Sequence, residues 1–329
     1  MSETPGPPFS VSVRAADHLA KIVESITRLD LGTDFRLDIR LHRENRVRSI
    51  YSSLAIEGNL LSLNDVADVL NGQQVWGRPV DIQEVKNAHD AYEHLLTFDP
   101  YEVDDFLTAH RLLTQGLIRE AGRFRSGDVA VFDGETPIHT GARPQFVPGL
   151  IGDLFAWVRE SDLHPVLLSA IVHCEIETIH PFADGNGRIG RLWQTLILAR
   201  WNGVFASLPM ESVVFTSRPQ YYQALRTAQR NHDATVFIEF SLGAILQAIE
   251  EVLVTYGDIN VGVNVGRNVG VNDAVLTLLN VEPTLSASAI ADRLGKTSRT
   301  IERHLADLKA AGRVRREGSA KAGRWVVID

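Results

Sequence analysis

The chain has 329 residues, of which 44% are hydrophobic and 22% charged, and a single cysteine, Cys174. That composition excludes a disordered, collagen-like or low-complexity chain, and a lone thiol excludes an intrachain disulfide or a cysteine-built zinc site. The net charge of −8 is uneven: residues 272–329 hold ten Lys/Arg against seven Asp/Glu, while the remainder holds 23 against 34. Only the tail has a balance suited to nucleic acid.

The segment Met1 to Ser10 is polar, with three prolines, and lacks the basic start and apolar core of a signal peptide. A single thiol suits a reducing compartment, so a cytoplasmic location is expected. Most of residues 11–256 reads as helices. His42 to Ile56 places Val47, Ile50 and Leu54 at helical spacing. Ser62 is positioned to cap a helix carrying Val66, Val69 and Leu70. Asp81 to Leu96 sets Val85, Ala88, Ala91, Tyr92 and Leu95 on one face, and helices also fit Val103 to Ile118, Val147 to Arg159 and Pro165 to Ile179. Between them, Val129 to Phe146 breaks the pattern. Val129, Val131 and Phe132 are β-prone and Asp133-Gly134 is a hairpin signal. The apolar stretch Val236 to Tyr256 is interrupted by Glu239, Glu250 and Glu251, so no membrane span is expected.

Residues 260–272 read NVGVNVGRNVGVN, with glycine at 262, 266 and 270. Repeated glycine opposes a helix, and the stretch reads as a linker; a short strand pairing with a second chain is the alternative, which would make the protein a homo-oligomer. Beyond it, Asp273 to Asn280, a helix capped by Ser286 and ending at Gly295, and a third capped by Thr297 or Ser298 precede two strands, Val314 to Glu317 and Arg324 to Ile328. Three helices and a hairpin make a winged helix-turn-helix. Its third helix turns Ile301, Leu305 and Leu308 inward and presents Arg299, Thr300, Arg303 and His304 outward, with Arg313, Arg315, Arg316, Lys321 and Arg324 flanking the wing. DNA is therefore a candidate partner of residues 273–329, with a protein-interaction module as the alternative.

The chemistry concentrates in His180-Pro-Phe-Ala-Asp184-Gly-Asn186-Gly-Arg188-Ile-Gly-Arg191. Proline ends the preceding helix at His180. Gly185, Asn186 and Gly187 tolerate positive φ and let a ligand approach the backbone where a new helix starts, which is an anion site. Arg188 and Arg191 are placed to reach phosphate oxygens, and Asp184 is a hard oxygen donor suited to Mg²⁺ on the same phosphates. His180 is the one titratable base in the run. A nucleoside triphosphate beside a general base implies transfer from the nucleotide to a hydroxyl.

This run resembles the signature H-x-F-x-[D/E]-G-N-G-R-x-x-R of the Fic (filamentation-induced-by-cAMP) family. At about 5% usage per residue type, its eight fixed positions recur by chance at about 10⁻¹⁰ per position. Gly122-Arg-Phe-Arg125 with the following hairpin resembles the family's target-docking flap, and Tyr221-Tyr222-Gln-Ala-Leu225 resembles the segment lining its adenine pocket. The resemblance implies a mainly α fold, a Fic-type helical bundle with a small β-hairpin flap. It also implies AMPylation: AMP passes from ATP to a Ser, Thr or Tyr hydroxyl of a target protein docked at residues 129–146. His180 would be the base, Asp184 the Mg²⁺ ligand, Gly185, Asn186 and Gly187 the anion hole, Arg188 and Arg191 the phosphate contacts, and Tyr221 and Tyr222 the nucleotide contacts. Phe182 would point into the core.

Ser53-Leu-Ala-Ile-Glu57-Gly58 resembles the family's inhibitory motif. Ser53 and Glu57 share a helix face, and a bidentate Glu57–Arg191 pair would occupy the arginine needed for the γ-phosphate. The expected division is an N-terminal helical region with the inhibitory helix over 1–98, a catalytic core over 99–256, a linker over 257–272 and the winged helix over 273–329. His173, Cys174 and His139 are read as ordinary structural or surface residues. Two other readings stay open: a DNA-binding regulator whose core senses a nucleotide, against which the intact His180 argues, and a Fic core with different chemistry, such as phosphocholine transfer, phosphorylation, UMP transfer or de-AMPylation with Glu57 positioning a water, although the Asp184-Gly-Asn186-Gly loop resembles the AMP-transferring pattern.

Overall fold

The computed structural model describes residues 6–31, 39–133, 136–264, 275–276, 278–279, 283, 285–293, 297–310, 313–317 and 324–327. The chain divides into two units, residues 1–250 and 251–329.

In the first unit, α1 (Val13–Leu31) precedes α2 (Ile39–Ile56), α3 (Leu63–Leu70), α4 (Pro79–Glu93) and α5 (Val103–Thr114). The strands β1 (Ala130–Asp133) and β2 (Thr136–Thr140) lead to α6 (Val147–Glu160), α7 (Pro165–Ile179), α8 (Asn186–Trp201), α9 (Met210–Thr216), α10 (Arg218–Asn231) and α11 (Thr235–Asn264). The expected Ser62 cap forms with a reciprocal bond from Asp65, a capping box that satisfies two end groups of α3 at once. Helix α5 stops four residues short of the expected Ile118. Gly116 adopts φ 75°, and the Leu117 amide donates to Thr114 instead of continuing the ladder.

The central pair is α7 and α8, whose side chains are buried almost all round, the mark of core helices. Phe106 of α5 sits 5.3 Å from Phe155 of α6, 5.3 Å from Phe182 and 5.1 Å from Trp193 of α8, ring centre to ring centre. Each such buried side chain contributes roughly 1.5–3 kcal/mol. The same core includes Ile50 and Leu54 of α2, Val66 of α3 and Val85 of α4. The region 1–98 therefore shares one core with the expected catalytic segment, because the apolar faces of α2 to α4 are buried against it.

The hairpin forms as expected: β1 and β2 are antiparallel, pairing Ala130 with Thr140 and Asp133 with Thr136, with an irregularity between Val131 and Phe132. Gly134 lies outside the described residues. Helix α11 differs from expectation. It runs to Asn264 and so takes in residues 257–264 of the expected linker, Gly262 included. Gly257 and Gly262 cost about 1 kcal/mol each, whereas extending an established helix adds a hydrogen bond per residue without a new nucleation step. Residues 265–272 lie outside the described residues.

In the second unit, α12 (Ala287–Arg293) and α13 (Ser298–Ala310) precede antiparallel strands β3 (Val314–Glu317) and β4 (Arg324–Val327). Ser286 and Thr297 cap the two helices through the amides of Ala289 and Thr300. Ile290, Ile301, Leu305, Leu308, Val314 and Trp325 form its own core, so Ile301, Leu305 and Leu308 face inward as the periodicity requires. Among the described residues no helix is long and apolar enough to cross a membrane.

Candidate active site

Helix α7 ends where the sequence puts its stop. His180 takes the left-handed conformation, φ 53° and ψ 62°, and its amide still donates to Ile176. Gly185 repeats that conformation at φ 84°, directly before α8. The loop between them is closed by Asn186, whose Oδ1 accepts from the Phe182 amide and whose Nδ2 donates to the Phe182 carbonyl, both at 2.9 Å. Helix α8 has no side-chain cap. Its N-terminus opens on a cleft of about 190 Å³ that His180, Asp184, Gly185, Asn186 and Gly187 line together.

Two residues not singled out by sequence brace this loop. His110 of α5 is fully buried and stacks on Phe182 at 3.6 Å between ring centres. Its Nδ1 accepts from the Gly122 amide at 3.0 Å and its Nε2 lies 2.9 Å from the Asp184 carbonyl, so Nε2 carries the proton. Burial lowers its pKa to about 4, outweighing the Asp184 carbonyl, and the ring is neutral at pH 7. Arg125 donates to the carbonyls of His180 at 2.7 Å, Gly127 and Ala142. It thereby joins the base of the hairpin to the catalytic loop. Phe182 is fully buried, as expected.

Arg191 of α8 and Glu57, at the end of α2, meet as the inhibitory motif requires. Arg191 Nη2 donates to Glu57 Oε1 at 2.7 Å. The pair is monodentate, which corrects the bidentate expectation: Nε donates to Ser53 Oγ at 3.1 Å and Nη2 also to the Ser53 carbonyl at 2.9 Å. Gly58, at φ 89°, closes α2, and the Asn59 amide reaches back to the Leu54 carbonyl. Burial pulls the Arg191 pKa down, but the oxygens of Glu57, Tyr221 and Glu177 outweigh it and hold the group above its ordinary value. Its Nη1 is buried with no hydrogen-bond partner. A Cβ on Gly187 would collide with Glu57 Oε1 and lie 3.0 Å from that Nη1. The bare backbone of Gly187 thus leaves a cradle that the Glu57 carboxylate fills.

Arg188 departs from its expected place. Its side chain is buried, with Nη1 on Glu84 Oε1 at 2.9 Å and Nη2 on Asp184 Oδ2 at 2.7 Å, and it does not line the cleft. Glu84 Oε2 in turn accepts from Asn59 Nδ2 at 2.8 Å. Arg188 therefore orients Asp184, whose side chain remains 58% exposed. Tyr221 also departs from expectation. It is buried in the core, while its neighbour Tyr222 lines the cleft together with Leu225, Arg226 and Gln229. These last two escaped the sequence reading, although their spacing along α10 places them one and two turns from Tyr222 on the same face. The cleft also holds a carboxylate that the sequence reading passed over, Glu177, one turn before His180. His173 is a satisfied core residue, bonded to Gln194 Oε1 at 2.7 Å and Tyr221 Oη at 3.1 Å. Burial lowers its pKa to about 3. Cys174 is buried and its thiol is pushed up by burial. The His139 side chain lies outside the described residues.

The residues of the site fit a nucleotide and its cation. An unpartnered buried guanidinium nitrogen and an uncapped helix N-terminus suit phosphate. Asp184, a hard oxygen donor exposed beside that N-terminus, would hold a cation together with phosphate oxygens, as suits Mg²⁺.

In the second unit, Arg299 and Arg303 are exposed on α13, Arg315 is exposed on β3, and Thr300 and His304 are half-buried. The Arg316 guanidinium lies 5.0 Å over the Trp325 ring. Lys321 and the Arg324 side chain lie outside the described residues.

Residues 100–198 match the Fic/DOC family and residues 271–323 match an HTH domain. A crystal structure of a Fic family protein from Desulfovibrio desulfuricans G20 shares 37% identity and a TM-score of 0.74, covering 98% of each chain. Among curated relatives, protein adenylyltransferase fic-1 of Caenorhabditis elegans is 31% identical over 201 residues, 57% of this chain and 38% of that protein. Protein adenylyltransferase Fic of Nematostella vectensis is 32% identical over 213 residues, 61% of this chain and 47% of that protein. The chain thus spans less than half the length of either.

Proposed function

Because the chain belongs to the Fic family, we propose that it is a protein adenylyltransferase, moving AMP from MgATP to a Ser, Thr or Tyr hydroxyl of a protein and held in check by its own Glu57. The observation that carries this reading is the set of His180, Asp184 and the Gly185–Gly187 backbone on one cleft, with Glu57 lying over Gly187 and bonded to Arg191. The first part supplies the parts of the transfer and the second its brake.

The α8 N-terminus receives the phosphates, and Tyr222, Leu225 and Gln229 form the wall on which the rest of the nucleotide lies. Asp184, oriented by Arg188, would hold Mg²⁺, which neutralises phosphate charge when bound. His180 takes the proton of the incoming hydroxyl. The oxygen then bonds to the α-phosphorus as the bond to pyrophosphate breaks. Arg125 keeps the His180 carbonyl and the hairpin base in register, so a target held by the hairpin at residues 129–146 meets the base at a set distance. With Glu57 on Arg191, that arginine is withdrawn from the γ-phosphate and the α-phosphorus is misaligned for in-line attack.

The test is incubation of wild type, Glu57→Gly and Glu57→Gly/His180→Ala with α-labelled ATP and Mg²⁺. Glu57→Gly is expected to label itself at least about tenfold more than wild type, about 1.4 kcal/mol in the barrier, and the double variant to lose that label. Absence of label on Glu57→Gly under saturating MgATP refutes the proposal. Pre-labelled protein that loses AMP only when Glu57 is present would favour de-AMPylation. The exposure of Arg299 and Arg303 on α13 supports DNA as the partner of the second unit.

A further inference from the structure

Glu177 has no role in the reaction just described, yet its carboxylate lies beside the base. It occupies the last turn of α7, one turn before His180, is 9% exposed and lines the cleft. Its two oxygens are used differently. Oε1 accepts from Tyr221 Oη at 3.2 Å, whereas Oε2 lies 3.9 Å from His180 Nδ1, with the Glu177 carbonyl 3.4 Å from the same nitrogen. Tyr221 is itself fixed, since its ring is buried and its hydroxyl lies 3.1 Å from His173 Nε2. The carbonyl is the acceptor that selects Nδ1 for the proton, and the carboxylate, beyond hydrogen-bond reach, adds its charge on the same side of the ring.

We propose that Glu177 is a positioning residue for His180: its carbonyl keeps the proton on Nδ1, so that Nε2 is the nitrogen that takes the hydroxyl proton, and its carboxylate stabilises the imidazolium that results. Tyr221 holds the carboxylate in place for this. The inference rests on the adenylyltransferase reading for its kinetic consequence, though not for its effect on the imidazole.

Among the described residues, the charged and titratable groups around Glu177 include Glu57 of α2, Arg191 of α8, Tyr221, Tyr222 and Arg226 of α10, Cys174 and His173 of its own helix, and His180 and Asp184 of the loop that follows. Burial, and then the charge of Glu57, push the Glu177 carboxyl up to about 7, against the pull of Arg191 and Tyr221. Withdrawal of Glu57 therefore favours the ionised form of Glu177.

Two measurements decide. The first follows the His180 C2–H resonance through pH 5.5–8 in nucleotide-free Glu57→Gly and Glu57→Gly/Glu177→Gln, where the charge that raises the Glu177 carboxyl is gone, assigned by comparison with His180→Ala. His110 and His173, neutral down to about 4 and about 3, stay silent in that range. The His180 proton affinity should fall about tenfold on addition of Glu177→Gln, the scale of losing an opposite charge within about 4–6 Å. The second compares self-labelling of Glu57→Gly and Glu57→Gly/Glu177→Gln between pH 5.5 and 8.5. The added substitution should lower kcat about tenfold or more, leave the KM for ATP within about twofold, and move the acid limb of the profile to lower pH. An unmoved His180 titration and acid limb overturn the proposal even if the rate drops, because a purely structural role predicts that pattern. A moved titration with an unchanged kcat overturns it equally. If Glu57→Gly itself transfers nothing, the adenylyltransferase reading fails and the titration alone decides the role of Glu177. Tyr221→Phe, which frees Glu177 Oε1 without removing the charge, should shift both readouts in the same direction by a smaller factor, and serves if Glu177→Gln does not fold.

Discussion

The Glu57–Arg191 pair sets a limit on how strongly the brake can act, and that limit is measurable. The perturbation is a double-mutant cycle of Glu57→Gln, Arg191→Met and both together. The bond is 2.7 Å long, and the side chains of Arg191 and Glu57 are 2% and 32% exposed. Two unit charges with centres about 4 Å apart attract by about 4 kcal/mol at an effective dielectric constant near 20. Breaking a fully buried pair costs about 3–5 kcal/mol, whereas an exposed one is worth about 0–1 kcal/mol. Glu57 is a third exposed and binds through one oxygen, so a coupling of about 1–3 kcal/mol is expected between those limits. Arg191 keeps its two bonds to Ser53 in the Glu57 variant, so the cycle isolates the pair and not the collapse of the arginine. Urea unfolding at low salt measures it. Expressed as nucleotide affinity or rate, about 1–3 kcal/mol is about a five- to 150-fold effect, the ceiling on relief through this contact. A coupling below about 0.5 kcal/mol, the ordinary error of additivity, would refute the argument that this pair carries the brake.

Gly187→Ala should fold, since the nearest atoms its Cβ meets are the flexible end of the Glu57 side chain, which must give way, and Arg191 Nη1, not backbone; calorimetry should show ATP binding weakened about tenfold or more, because the methyl fills the space over the α8 N-terminus. Glu211→Ala should lose about 3–5 kcal/mol in denaturant unfolding, because the buried carboxylate accepts from Tyr92 at 2.5 Å and Ser49 at 2.8 Å, joining α2 and α4 to α9. Glu175, whose pKa burial raises to about 7, binds more protons folded than unfolded, so the stability it contributes is present at low pH and is lost as pH rises from about 4.5 through 7. Glu175→Gln should therefore stabilise by about 1–3 kcal/mol at pH 8 and have no such effect at pH 4.5, read from urea midpoints at the two values. Arg299→Ala/Arg303→Ala should weaken binding of a labelled duplex about tenfold or more in low-salt anisotropy, and equal binding by wild type and variant would remove α13 from the DNA interface.

The sequence by itself determined whatever depends on neighbours along the chain. The stop at His180-Pro181, the left-handed Gly185, the start of α8 and the Ser62 capping box arise from local backbone preferences and are complete within a few residues. The inward face of α13 and the shared face of Ser53 and Glu57 follow from helical periodicity alone. Tertiary structure decided how those faces are turned and what they meet. Tyr221 and Tyr222 are adjacent, and only the rotation of α10 against the core sends one to the interior and the other to the cleft. Arg188 is turned from the expected phosphates by Glu84, 104 residues away, and His110 reaches the Asp184 carbonyl across 74 residues. No periodicity encodes such partners, because a buried guanidinium or imidazole takes whichever acceptor the packed helices bring within reach, and the cost of leaving it unpaired selects that partner only after the core has formed.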